Sequence, residues 1–155
     1  MGTDPTGENA TVKVVILCGG KGTRLREETA YRPKPMAEIG GRPILWHIMQ
    51  TYADHGFKEF VLALGYKGHV IKEHFLDHRV MHNDITVRLA DGTVTIHPNE
   101  QPYDWTVTMV DTGEETLKGG RIARLARYLD GERFMLTDGD GVTDLDISRL
   151  LAFHL

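Results

Sequence analysis

Three glycines fall within four residues, Gly19, Gly20 and Gly22, with Lys21 between them and Thr23-Arg24 directly after. Glycine lets backbone N–H groups approach an anion closely and takes the positive φ values a tight loop needs. The apolar run Val14-Val15-Ile16-Leu17-Cys18 ends at this point. Together they read as a buried strand opening into a phosphate-cradling loop and then a helix. Three phosphate loops have this general character. A Walker loop is excluded, because no Gly-Lys-Ser/Thr follows at the required spacing. A dinucleotide fingerprint finds its first pair in Gly20 and Gly22, but Leu25 stands where the third glycine belongs. A nucleoside-triphosphate loop with an arginine immediately behind it remains. A bland tight turn would account for two glycines and requires neither the third nor Thr23-Arg24.

Other residues could complete such a site. Asp138 and Asp140 flank Gly139 just after an apolar run, a pattern suited to Mg²⁺, which takes one or two carboxylates plus phosphate oxygens. A solvated acidic turn is the plainer alternative, and Asp144 and Asp146 read as turn and helix-cap residues. Lys34 lies between Pro33 and Pro35, a point charge on a stiff segment that could neutralise a phosphate. Arg24 and Arg121 could serve likewise, or stand as ordinary surface cations. His69, His74 and His78 have helical or near-helical spacing, yet no His-Glu-x-x-His motif joins them, so they read as satisfied or solvent-facing. Trp46, Trp105 and Tyr103 read as core more than as stacking groups, least firmly for Trp105, which follows Pro102 in a loop. Cys18 is the single cysteine, so no internal disulfide forms, and it reads as a small core residue.

The elements that must position these residues follow an alternating rhythm. Residues 11–18 read as a strand buried on both faces, 19–22 as the loop and 23–29 as a short helix. The stretch 31–36 is not helical, since each proline disfavours helix in the residue before it. A turn at 40–43 leads into a helix over 44–55 that stops at Gly56. A strand at 60–64 and a helical face of Val70, Ile71, His74 and Phe75 follow, which predicts parallel crossovers. Then 85–89 and 94–97 alternate around Asp91-Gly92 as a hairpin, and 106–110 is a further strand. A polar turn at 118–120 precedes an amphipathic helix over 121–129. The strand at 134–137 is buried, and a helix begins after Asp146. The expected class is therefore α/β, a Rossmann-like, mostly parallel sheet flanked by helices, with an inserted β-hairpin. The last helix has no strand to return to, so the chain is expected to be part of a larger one.

Composition bounds the rest. The chain has 155 residues, 41% hydrophobic and 26% charged, enough for one packed domain or part of one. Its 22 acidic and 18 basic residues give a formal charge of −4, which argues against a general nucleic-acid binder. No apolar run reaches the ~18 residues of a membrane span, and residues 1–10 form a polar leader without a signal peptide's apolar core. The cytoplasm is the default location.

The motifs taken together resemble the sugar-phosphate nucleotidylyltransferases. The resemblance rests on residues 15–25, on Arg32-Pro33-Lys34-Pro35-Met36, and on Ile39-Gly40-Gly41-Arg42-Pro43. Residues 43–49, Gly65-Tyr66-Lys67-Gly68, Val110-Asp111-Thr112-Gly113 and Gly139-Asp140-Gly141-Val142 are most similar to the branch that makes CDP-glucose from CTP and glucose 1-phosphate. The similarity covers residues 12–155. It implies a nucleotide-diphospho-sugar transferase fold and in-line attack of the sugar phosphate on the α-phosphorus of CTP, with Mg²⁺ as cofactor and pyrophosphate as leaving group. It places Leu17, Cys18, Gly19, Gly20, Lys21, Gly22, Thr23 and Arg24 around the nucleotide, with Arg24 facing the triphosphate. Lys34 would neutralise the α-phosphate, Asp140 would bind Mg²⁺, and Thr116 and Arg121 would lie in the CTP-contacting segment. Thr116 stands where the branch usually has serine, and Asp138 where it commonly has an aromatic residue. Family enzymes continue well beyond Leu155 into strands holding most of the sugar site and a second metal-binding aspartate. The implied partners are CTP and a sugar 1-phosphate, with no nucleic acid and no membrane. The full-length enzyme is expected as a homo-oligomer, the hairpin's exposed edges offering a place for another chain to pair.

Overall fold

A computed structural model describes residues 12–21, 30–99, 101–129 and 133–155. The expected leader and the expected helix over 23–29 lie outside the described residues. Strand β1, Lys13–Leu17, carries Val14, Val15 and Ile16 fully buried, as a β-branched run between two helical layers requires. It pairs in parallel with β4, Glu59–Leu64, and on its other edge with β8, Phe134–Asp138. Strand β7, Thr106–Asp111, adds in parallel to β4, so the four-stranded sheet runs β7-β4-β1-β8.

Alternation along these strands feeds two cores. Val14, Ile16, Phe60 and Leu62 face helices α1, Ile44–Asp54, α2, Gly68–Met81, and α4, Ile147–His154. Val15, Val61 and Ala63 face Leu125, Tyr128 and Leu129 beyond the other face. Asp146 caps α4, its carboxylate accepting the Arg149 N–H at 3.0 Å, as its place before Ile147 predicts.

Three local expectations change. Lys34–Met36 forms a 3-10 turn inside the proline segment. Pro33 stays extended at its N-cap and Pro35 falls within the first turn, where a missing N–H breaks no bond. Residues 118–120 are the first turn of helix α3, Lys118–Arg124, instead of a polar turn, and a 3-10 turn at Ala126–Tyr128 replaces the rest of the expected helix. Strand β8 is half exposed, with Phe134 at 37% and Leu136 at 47%, because it forms one edge of the described sheet. The short strands β2, Glu38–Ile39, and β3, Arg42–Pro43, pair across Gly40-Gly41, whose φ values of 60° and 79° favour glycine. The hairpin forms as expected from β5, Asp84–Arg88, and β6, Thr93–His97.

Candidate active site

The strand order puts a switch point beside β1. From β1 the chain builds outward through β4 to β7, then returns to lay β8 on the opposite edge. Crevices at the carboxyl ends of such strands are where open α/β sheets bind ligands. A cleft of about 430 Å³ lies there, lined by the Leu17–Gly20 backbone, by Lys34, by Thr116 and Lys118, and by Asp138 and Asp140.

The register explains the meeting. Leu17 is level with Asp138 across the parallel pair, and the Gly139 N–H donates to the Leu17 carbonyl at 2.9 Å. The glycine loop and the aspartates thus leave the sheet side by side. A Cβ on Gly139 would stand 2.9 Å from that carbonyl, 3.0 Å from Pro35 Cγ and 3.2 Å from Cys18 Sγ, so only glycine packs without displacement. Cys18 is buried and its thiol is pushed well up by that burial, which keeps it protonated and inert.

Two ion pairs cross the cleft. Lys34 Nζ donates to Asp140 Oδ2 at 2.7 Å, and Lys118 Nζ donates to Asp138 at 2.9 Å and 3.1 Å. Asp138 holds the Lys118 ammonium above its ordinary pKa through that bond and its charge. Lys34 and Asp140 are 106 residues apart in sequence, yet they meet at the mouth of the glycine loop. Lys21 reaches across to Glu115 and lies 3.6 Å from Glu114.

Arg121 and Thr116 also line the cleft, with different duties. The Arg121 guanidinium is buried and donates to the carbonyls of Gly113 (2.8 Å), Gly19 (3.0 Å), Glu114 (3.0 Å) and Leu64 (3.3 Å), and to Thr112 Oγ1 (2.8 Å). It ties the glycine loop to the end of β4 and to the 112–114 loop. A Cβ on Gly19 or Gly65 would fall 2.0 Å or 2.5 Å from its Nη1, so those glycines make room for the arginine. Thr116 Oγ1 accepts from Arg124 at 3.0 Å.

Gly22, Thr23 and Arg24 lie outside the described residues. Of the other expected site residues, Leu17, Cys18, Gly19, Gly20, Lys34, Thr116, Arg121 and Asp140 all line this one cleft. Lys118 was not among the expected site residues. Its signal in the sequence is faint, a lysine before Gly119-Gly120, and its role depends on a partner 20 residues away in Asp138. No cluster of three or more metal-ligating side chains occurs among the described residues. Two carboxylates, on the last residue of β8 and two residues beyond it, still suit Mg²⁺, which completes its shell with phosphate oxygens and water.

Comparison with known proteins gives the family. The nucleotidyl transferase family profile matches residues 13–154. The chain is 51% identical over 144 residues to glucose-1-phosphate cytidylyltransferase of Salmonella typhimurium, covering 92% of the chain and 56% of that enzyme. It is 48% identical over 143 residues to the probable glucose-1-phosphate cytidylyltransferase of Bacillus subtilis, again over 92% and 56%. It therefore spans about half the length of the curated relatives it matches. Among solved structures, HddC from Yersinia pseudotuberculosis complexed with GMP-PN superposes with a TM-score of 0.67 at 27% identity, over 93% of this chain and 54% of that one.

Proposed function

This chain belongs to the nucleotidyl transferase family, and from that premise we propose that it carries the nucleotide-binding half of a site that joins CTP to α-D-glucose 1-phosphate. The observation that carries the reading is the meeting of Lys34, Asp140 and the glycine loop in one strand-end cleft. The choice of CTP and glucose 1-phosphate is supported by relatives of that name at 48% and 51% identity.

A phosphate oxygen of glucose 1-phosphate attacks the α-phosphorus of CTP. The bond from that phosphorus to the bridging oxygen breaks, and pyrophosphate leaves with the electron pair. CDP-glucose keeps the cytidylyl phosphate. Such a transfer needs alignment and charge neutralisation more than covalent help. The loop's backbone N–H groups and Arg24 would hold the triphosphate. Lys34 would move from Asp140 to the α-phosphate as negative charge develops there, leaving the carboxylate to a cation. Asp140, with Asp138 beside it, would hold Mg²⁺, which supplies Lewis-acid neutralisation of the phosphate oxygens when bound. Arg121 positions the loop. We propose the cytoplasm as the place of the reaction and a homo-oligomer as the full-length enzyme. Among the described residues no helix is long and apolar enough to cross a membrane.

Phosphorus NMR of the full-length protein with CTP, glucose 1-phosphate and Mg²⁺ tests this. CDP-glucose and pyrophosphate should appear in equal amounts. Nucleotide binding with no new phosphorus signal would indicate a non-catalytic nucleotide-binding module.

A further inference from the structure

On the side of the sheet covered by α1 and α2, three cavities of about 240, 300 and 210 Å³ share walls and share no residue with the active-site cleft. His78, from α2, lines all three, and Trp46, Arg42 and Tyr103 are each shared by two. His74, His78 and His82 lie one turn apart on one face, with His78 and His82 rings stacked at 4.3 Å and His74 within 6.5 Å of His82. Arg42, from β3, faces them, its guanidinium 4.4 Å above the Trp46 ring. Arg79 lines the outermost cavity.

This lobe is basic in a chain whose formal charge is −4. Among the described residues lining its two cavities, Glu38 alone carries a carboxylate, and Arg32 already pairs with it at 3.3 Å. The adjoining lobe is aromatic. Tyr103 lies 4.7 Å from Trp105, 6.2 Å from Trp46 and 5.6 Å from His78. The Trp46 Nε1 is buried without a hydrogen-bond partner among the described residues. The His82 Nδ1–H donates to the His78 carbonyl at 2.9 Å, which leaves Nε2 as the ring's free nitrogen.

We propose that this groove is a second ligand site, taking a mononucleotide with its phosphate between Arg42 and the α2 histidines and its base against Trp46 and Tyr103. A guanidinium with imidazoles offers charge-assisted donors to a phosphate, and aromatic faces stack any base. The same histidines could instead bind a transition metal, but Arg42 beside them opposes a cation and no metal-ligating cluster is formed among the described residues.

Burial first, then the charges of the neighbouring histidines and Arg42, hold His74 and His78 below the ordinary histidine range, with Glu38 opposing at His74. A bound phosphate reverses that field, so binding takes up protons and tightens as the pH falls towards the second pKa of the phosphate, about 6.

Trp46 and Trp105 are the only two tryptophans, and both line the aromatic lobe, so tryptophan fluorescence reports this groove. Uridine monophosphate, uridine and inorganic phosphate are titrated separately into the purified chain. The monophosphate should quench and bind about tenfold tighter than either fragment, a step of about 1.4 kcal/mol. Arg42→Gln and His78→Gln should each weaken it about tenfold, and Arg42→Lys less. Lys34→Ala should leave it unchanged. Near-ultraviolet circular dichroism checks that each variant folds, and histidine NMR signals from α2 should move with the probe. No quenching by the monophosphate, quenching unaltered in folded Arg42→Gln and His78→Gln, or a response to Zn²⁺ alone would overturn the proposal.

Discussion

Among the cleft's side chains, those that face a ligand differ from those that hold the chain together. Lys34 is about a third exposed, at 32%, and its pair with Asp140 contributes little to stability, of order 0–1 kcal/mol. Lys34→Ala should lower turnover by about 10²–10³-fold, with a melting temperature close to the parent's. A mutant that loses its fold would assign Lys34 to structure instead. Arg121 is the reverse case. Removing it leaves the Gly19, Gly113 and Glu114 carbonyls without that donor. The Gly113 and Glu114 bonds are only part-buried and open to water, and the Gly19 carbonyl still accepts from the Tyr66 N–H at 3.4 Å, so Arg121→Ala should cost about 1–3 kcal/mol in urea unfolding. Arg121→Lys should not restore it, since a point charge cannot span carbonyls on several sides. The sequence made Arg121 a candidate phosphate cation because it follows two glycines. Nothing local reveals that its partners lie as far away as Gly19, 102 residues earlier.

Among the elements, the strand ends place the two carboxylates proposed to hold Mg²⁺. Gly139→Ala should push Asp140 away from the glycine loop, because a Cβ there meets Leu17, Pro35 and Cys18 within 3.2 Å. A Mg²⁺ titration of activity should need more metal than the parent, and an unchanged requirement would separate Gly139 packing from metal binding. Helix α2 adds a pH dependence. His74 and His78 titrate below the ordinary value of 6.5 in the folded chain. The unfolded chain therefore takes up protons first. Their contribution is fully present above the ordinary value and is lost as the pH falls from it through the depressed folded value. Thermal melts over that window should show a decline that His74→Gln with His78→Gln flattens. The strands and helices were legible wherever periodicity was strong, as in β1, β4 and α1. The Lys34–Met36 turn and the Lys118–Gly120 start of α3 were not. In each, proline or glycine signals a break, but sits in a first turn that tolerates it.

For the whole molecule, sequence pattern suggested a mostly parallel sheet but not its order, since periodicity says which face a strand buries and not its neighbour. The order β7-β4-β1-β8 creates the switch point, and only there do Asp138 and Asp140 come beside the loop that starts 119 residues before Asp138 at Gly19. Similarity at the level of the family leaves the base open, since the chain is 51% identical to a glucose-1-phosphate cytidylyltransferase and 32% identical to a guanylyltransferase of Campylobacter jejuni. The most direct measurement is the initial rate of pyrophosphate release by the full-length protein. Glucose 1-phosphate and Mg²⁺ are supplied with CTP, UTP, dTTP, GTP or ATP in parallel. CTP should give the fastest release, and release should vanish when glucose 1-phosphate is left out. A faster rate with any other nucleotide, or no release with all five, would contradict cytidylyl transfer as the function of this cleft.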